Sequence, residues 1–127
     1  MTREEFIVVL EEEGYSYIEE GNKLVVTYGY VDLSSLQTLP PGVEFKNVGY
    51  VNLYSLKTLP PGVVFKNGGD VYLYSLKTIS PGVEFKNGGN VLLESLVGEW
   101  IEGWKGNIEG IDSKMLLNLM INKGMFI

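Results

Sequence analysis

The chain contains no cysteine and no histidine. Disulfides, thiolate metal sites and a cysteine nucleophile are thereby excluded, and the commonest general base and zinc ligand go with the histidine. Arginine occurs once, at Arg3, and the net charge is -6. A chain so poor in cations lacks the basic face that backbone phosphates reward, so direct nucleic-acid binding is not expected and a basic partner is the easier encounter. Long apolar runs are missing as well. The amino-terminal MTREEFIVVLEEEG carries five consecutive apolar residues, Phe6 to Leu10, between acidic flanks. That is too short for a membrane span and wrongly flanked for a signal peptide, and the expected location is the cytoplasm. No metal or cofactor is expected, and 127 residues suit a single domain with one core.

What the chain does contain is repetition. VNLYSLKTLPPGVVFKN, Val51 to Asn67, returns twenty residues later as VYLYSLKTISPGVEFKN, Val71 to Asn87. In register, the units begin at Val31, Val51, Val71 and Val91, follow V-x-L-x-S-L-x-T-L-P-P-G-V-x-F-K-N-x-G-x, and break off after Leu96. A fixed period near twenty is the mark of a solenoid, in which each unit buries its apolar face only by stacking on the next. Each unit holds two short alternating runs, V-x-L and V-x-F, that read as strands with one face inward. Pro-Pro-Gly supplies one corner between them, and Asn67-Gly68-Gly69 and Asn87-Gly88-Gly89 are expected to supply the other through positive φ. The inward columns are then Val31, Val51, Val71 and Val91; Leu33, Leu53, Leu73 and Leu93; Leu36, Leu56, Leu76 and Leu96; and Phe45, Phe65 and Phe85. The expected fold is mainly β, a short β-solenoid with about twenty residues per coil and capped ends.

The caps flank the repeats as segments 1–29 and 97–127. Thr2-x-x-Glu5 is a capping-box pattern opening a helix with Phe6, Val9 and Leu10 on one side and Gly14 as its stop. Tyr15 to Ile18 and Lys23 to Thr27 read as a hairpin that supplies a degenerate first coil, with Val25 on the phenylalanine column and Gly29 on the glycine column. At the far end, Trp100, Trp104 and an amphipathic helix form the expected lid. Asp112 or Ser113 caps that helix, Met115, Leu116, Leu119 and Met120 give its apolar spacing, and Gly124 ends it.

The unit SLKTLPPGVEFKNVGYVNL resembles the twenty-residue leucine-rich-repeat-like units, SLxxLPxGVxFxNxGxVxL, of small bacteriophage and bacterial proteins. The resemblance spans Val31 to Leu96 and implies an interaction module, with no catalytic residue to carry over. The ordinary leucine-rich pattern L-x-x-L-x-L-x-x-N is not followed, and the added V-x-F signal favours a straighter solenoid with two sheets over a horseshoe with helices.

If valine and leucine of V-x-L-x point inward, one sheet shows Tyr30, Asp32 and Ser34; Tyr50, Asn52 and Tyr54; Asp70, Tyr72 and Tyr74; and Asn90, Leu92 and Glu94. Five tyrosines on one face give broad contact area at small entropic cost, as in paratopes and interface cores. The expected binding residues are Tyr30, Tyr50, Asn52, Tyr54, Asp70, Tyr72, Tyr74 and Leu92. The opposite sheet shows Lys46, Lys66 and Lys86 in one column beside Glu44, Val64 and Glu84, a solvated surface in which two carboxylates answer two of the three lysines. No carboxylate pair is singled out for glycosidase work. Asn67-Gly68-Gly69-Asp70 lacks the nine-residue period of calcium-binding repeats, and the glycines do not open a helix as a phosphate loop requires.

The sequence thus points to a non-enzymatic module that meets a protein partner, in a phage context a host protein. The alternatives are an acidic inhibitor of a host defence nuclease or nucleic-acid-binding protein, using Glu4, Glu5, Glu11, Glu12, Glu13, Glu19 and Glu20, and a carbohydrate-binding solenoid. Burial of the same face in a homodimer competes with all three.

Overall fold

A computed structural model describes residues 1–93 and 113–124. The expectations for Glu94, Leu96, Trp100, Trp104 and Asp112, and for the side chains of Met115 and Leu116, lie outside the described residues.

Helix α1 (Arg3–Glu13) starts at a complete capping box: Glu5 N–H donates to Thr2 Oγ1 at 3.1 Å, and Thr2 N–H donates to Glu5 Oε1 at 3.2 Å. It stops at Gly14, whose φ of 75° lets its N–H turn back to the Glu11 carbonyl. Phe6 and Leu10 are fully buried against the first coil.

The hairpin β1 (Tyr17–Glu20) and β2 (Lys23–Val26) leads into the stack. Beyond it the coils contribute β3 (Val31–Asp32), β4 (Val43–Phe45), β5 (Val51–Asn52), β6 (Thr58–Leu59), β7 (Val64–Phe65), β8 (Val71–Leu73), β9 (Thr78–Ile79), β10 (Glu84–Phe85) and β11 (Val91–Leu93). They form a β-solenoid of about four turns with three ladders. One sheet runs β1-β2-β4-β7-β10, the second runs β3-β5-β8-β11, and a two-stranded ladder joins β6 to β9. Every pair but β1 with β2 is parallel, and between β3 and β11 the partners stand twenty residues apart: Val31 by Val51, Val51 by Val71, Val71 by Val91.

The third ladder departs from the two-sheet expectation. Its strands are two residues long, Thr outward and Leu59 or Ile79 inward, too short for alternation to register as a strand in the sequence. It adds a buried column, Leu39, Leu59 and Ile79, to those of valine, leucine and phenylalanine. The phenylalanine rings lie nearly parallel, with centroids 5.2 Å apart for Phe45 and Phe65 and 4.9 Å for Phe65 and Phe85.

Two further expectations are corrected. Val26, not Val25, sits on the phenylalanine column, because β2 meets β4 with Val26 opposite Phe45. Gly29 still reaches Gly49, whose N–H donates to its carbonyl at 2.9 Å, so the first coil is one residue short between these points. Second, Gly68, Gly69, Gly88 and Gly89 do not take positive φ; Gly42, Gly62 and Gly82 of the proline corners do, at 76°, 79° and 90°. The Asn-Gly-Gly corner needs glycine for space. A Cβ on Gly68 would overlap the Val48 carbonyl, and one on Gly69 would lie 2.8 Å from the Tyr50 nitrogen.

That corner is tied by buried asparagines. Asn47 Nδ2 donates to the carbonyls of Gly29, Gly49 and Tyr50, at 3.0, 3.2 and 2.9 Å, bracing its own coil and the one before. Asn67 and Asn87 repeat the arrangement one and two coils on.

Both ends of the stack use side chains in place of strands. At the first coil, the Tyr15 hydroxyl lies 3.2 Å from the Asp32 nitrogen and 3.3 Å from its carbonyl, as acceptor and donor. At the last, Asn118 of helix α2 (Ser113–Asn122) accepts from Phe85 N–H and donates to the Phe85 carbonyl, both at 2.8 Å. Its carboxamide thus stands where the peptide group of a further coil would pair. Leu117, Met120 and Ile121 carry the buried stripe of α2, whereas Leu119, expected inward, is half exposed. Gly124 ends the helix with φ 68°.

Candidate functional site

The outward face of β3-β5-β8-β11 is built by parity. Val31, Leu33, Val51, Leu53, Val71 and Leu73 are buried, so the residues between and beside them face solvent. Twenty-residue register then stacks the outward positions: Asp32 beside Asn52, Asn52 beside Tyr72, Tyr72 beside Leu92.

Every expected site residue among these stands on this one face. Tyr30 and Tyr54 are the most open, at 61 % and 53 % exposure, and Tyr50, Asn52, Asp70, Tyr72, Tyr74 and Leu92 are half-buried. The five tyrosines form one continuous ring contact. Tyr30 meets Tyr50 at 5.3 Å, Tyr50 meets Tyr72 at 6.0 Å, Tyr72 meets Tyr74 at 6.2 Å and Tyr74 meets Tyr54 at 5.4 Å. The band therefore crosses the face obliquely rather than following one column. Tyr30 also lies across the backbone of Gly49, where a Cβ would sit 2.9 Å from its Cγ.

Two aromatic residues here carried no repeat signal. Tyr15 and Tyr28 stack at 4.9 Å beyond the edge strand β3, and Tyr28 is 45 % exposed. Tyr15 precedes the repeats, so periodicity could not find it.

The polar members are held by their backbone neighbours. Asp32 Oδ1 accepts from Ser34 N–H, and Asn52 Oδ1 accepts from Tyr54 N–H, each at 3.0 Å, closing the same turn in successive coils. Asp70 Oδ1 accepts from Asn90 N–H at 2.8 Å.

The opposite outward face is electrostatically closed. Glu44 binds two lysines, with Lys66 Nζ at 3.1 Å and Lys46 Nζ at 3.5 Å, and Glu84 binds Lys86 at 2.9 Å. All three stacked lysines are thereby answered, where the sequence promised two. The Lys66 contact is an ion pair off the ideal hydrogen-bond direction of Oε1. Glu44, expected exposed, is 2 % exposed between Val25 and Val64 of the flanking strands. Burial pushes its carboxyl up, but the close contact with Lys66 and the charges of Lys66, Lys46 and Lys23 outweigh that and hold it below the ordinary value.

Among the described residues no group of three or more His, Cys, Asp or Glu could hold a metal ion, and no helix is long and apolar enough to cross a membrane. No protein-family model, curated protein or solved structure matches the chain.

Proposed function

We propose that the chain is a non-enzymatic interaction module that docks a protein partner on the tyrosine face of β3-β5-β8-β11. The observation that carries this reading is the continuous contact of Tyr30, Tyr50, Tyr72, Tyr74 and Tyr54 on an outward sheet surface. Stacking between strands accounts for about 0.2–1 kcal/mol per pair. It does not require tyrosine in three different outward columns, and hydroxyl-bearing rings held by their neighbours are what a pre-ordered contact surface uses. The rings turn by 45°, 73° and 49° at three of their four contacts, a relief of edges and hydroxyls that suits a polypeptide better than the flat platform a sugar ring stacks on.

The test is the triple variant Tyr54→Ser, Tyr72→Ser, Tyr74→Ser. Its far-UV circular dichroism is expected to match the parent, while capture of the partner retained by the parent from a bacterial host lysate is lost. Unchanged capture by a folded triple variant overturns the proposal.

A further inference from the structure

We infer that the occupant of the tyrosine face is cationic: an extended segment of a partner protein carrying two arginines four positions apart, whose guanidinium groups meet Asp32 and Asp70 among the tyrosine rings. The inference rests on the docking reading above and specifies what the docked segment carries.

The two carboxylates are charged where structure asks only for an acceptor. Asp32 and Asn52 close the same turn with one side-chain oxygen at the same 3.0 Å, so a neutral amide serves the coil equally. Asp70 likewise spends one oxygen on Asn90 N–H, and its column neighbours Tyr50 and Asn90 carry no charge. Neither aspartate forms an ion pair among the described residues, whereas Glu44 and Glu84, stacked on the opposite face, are both engaged with lysine. No lysine or arginine occupies an outward position of β3, β5, β8 or β11. The face is therefore aromatic, and the only charges at its described outward positions, Asp32 and Asp70, are negative.

Such a surface selects guanidinium. The planar group stacks on tyrosine, is attracted by the negative ring faces, and presents a fork of donors to a carboxylate; an ammonium lacks the fork and the plane. Asp32 and Asp70 stand two strands apart and two residues apart along the strand, about 12 Å. An extended peptide brings residues i and i+4 to one side about 13 Å apart. A second copy of the chain fits poorly. It would bring like charges together, and its one arginine, Arg3, lies on α1 with its guanidinium on the Lys23 carbonyl.

The probe is a short acetylated glycine-serine peptide with two arginines four positions apart, and its lysine, glutamine and glutamate counterparts, titrated into the 15N-labelled full chain at low salt. The arginine peptide is expected to shift the amides of β3, β5 and β8, with the glutamine and glutamate peptides about tenfold weaker or silent and lysine between. Asp32→Asn with Asp70→Asn is expected to weaken the arginine peptide by a similar factor while leaving the remaining amide shifts in place, because an amide oxygen can accept from Ser34 N–H, as Asn52 does from Tyr54 N–H, and from Asn90 N–H. Equal binding of arginine and glutamine peptides on this face overturns the cationic inference and leaves the docking face standing. Shifts confined to the glutamates of α1 and β1, unaffected by the double variant, overturn it too. If no peptide binds and the tyrosine triple variant still captures the partner, both readings fall.

Discussion

Gly62 and Gly68 are both glycine, for different reasons that mutation can separate. Gly62 has φ 79°, a left-handed value that costs an L-residue about 1–2 kcal/mol, and asparagine tolerates it better than alanine. Gly68 lies outside that region but faces the Val48 carbonyl, so any Cβ forces neighbouring coils apart, at about 1–3 kcal/mol. Denaturant unfolding should therefore show Gly62→Asn less damaging than Gly62→Ala, and Gly68→Asn no better than Gly68→Ala. Asparagine rescue at Gly68 would contradict the steric account. The sequence marked both as corner glycines, yet could not say which needed φ and which needed room, since the second depends on the coil beneath.

Glu44 carries the pH dependence at this scale. Its folded-state carboxyl is held below the ordinary value, so the stabilisation it gives is present above the unfolded-state value and is lost as pH falls through the folded one. Glu44→Gln should be less stable than the parent at neutral pH, since Lys46 and Lys66 lose their partner, and should lose less stability on acidification below about pH 5. Parallel stability curves for the two proteins would refute this. The burial of Glu44 was not legible in sequence, where period two puts it outward. It does face outward, but flanking Val25 and Val64 and the lysines above it close it off.

Among the elements, α2 carries more than its apolar stripe. An open parallel stack leaves unpaired strand groups at its end, which invite association with other chains. Asn118 satisfies both groups of Phe85, so Asn118→Ala should cost about 1–3 kcal/mol by leaving a part-buried donor and acceptor unmet. It should also raise the apparent mass in light scattering, and Asn118→Gln should not recover the parent, because the longer side chain misplaces the carboxamide. Parent-like stability and mass for Asn118→Ala would remove this role. Sequence located the helix through its spacing and Gly124 but passed over Asn118, a single polar residue on an amphipathic surface. The inner columns were legible because they recur. The β6-β9 ladder and the Tyr15 cap were not, one being two residues per strand and the other occurring once.

For the whole molecule, twenty-residue register has a direct consequence. Removing residues 51–70 joins Tyr50 to Val71 and leaves every remaining column in phase. The shortened chain should fold with the same circular dichroism signature and unfold at a lower temperature, as fewer coil interfaces remain. Removing residues 51–65 instead leaves Lys66 to Asp70 as five surplus residues that must loop out at the Asn-Gly corner, and this chain should unfold at a lower temperature than the in-phase deletion. Equal stability of the two shortened chains would show that register does not govern the stack. On the outer face, the first deletion also removes Tyr54 and Asp70, so the tyrosine band loses its end ring, while Tyr50 comes to stand two residues from Tyr72 on one strand.

The caps make that economy heritable. Tyr15 and Asn118 each recognise one strand edge, in the first and last coils, and neither senses how many coils lie between. A copying slip of twenty codons within the repeats is thus nearly silent to folding while it widens or narrows the display. In such a gene, breadth of recognition can drift one coil at a time without passing through an unfolded intermediate, and the two terminal side chains are what keep each length variant a finished molecule rather than the seed of a fibre.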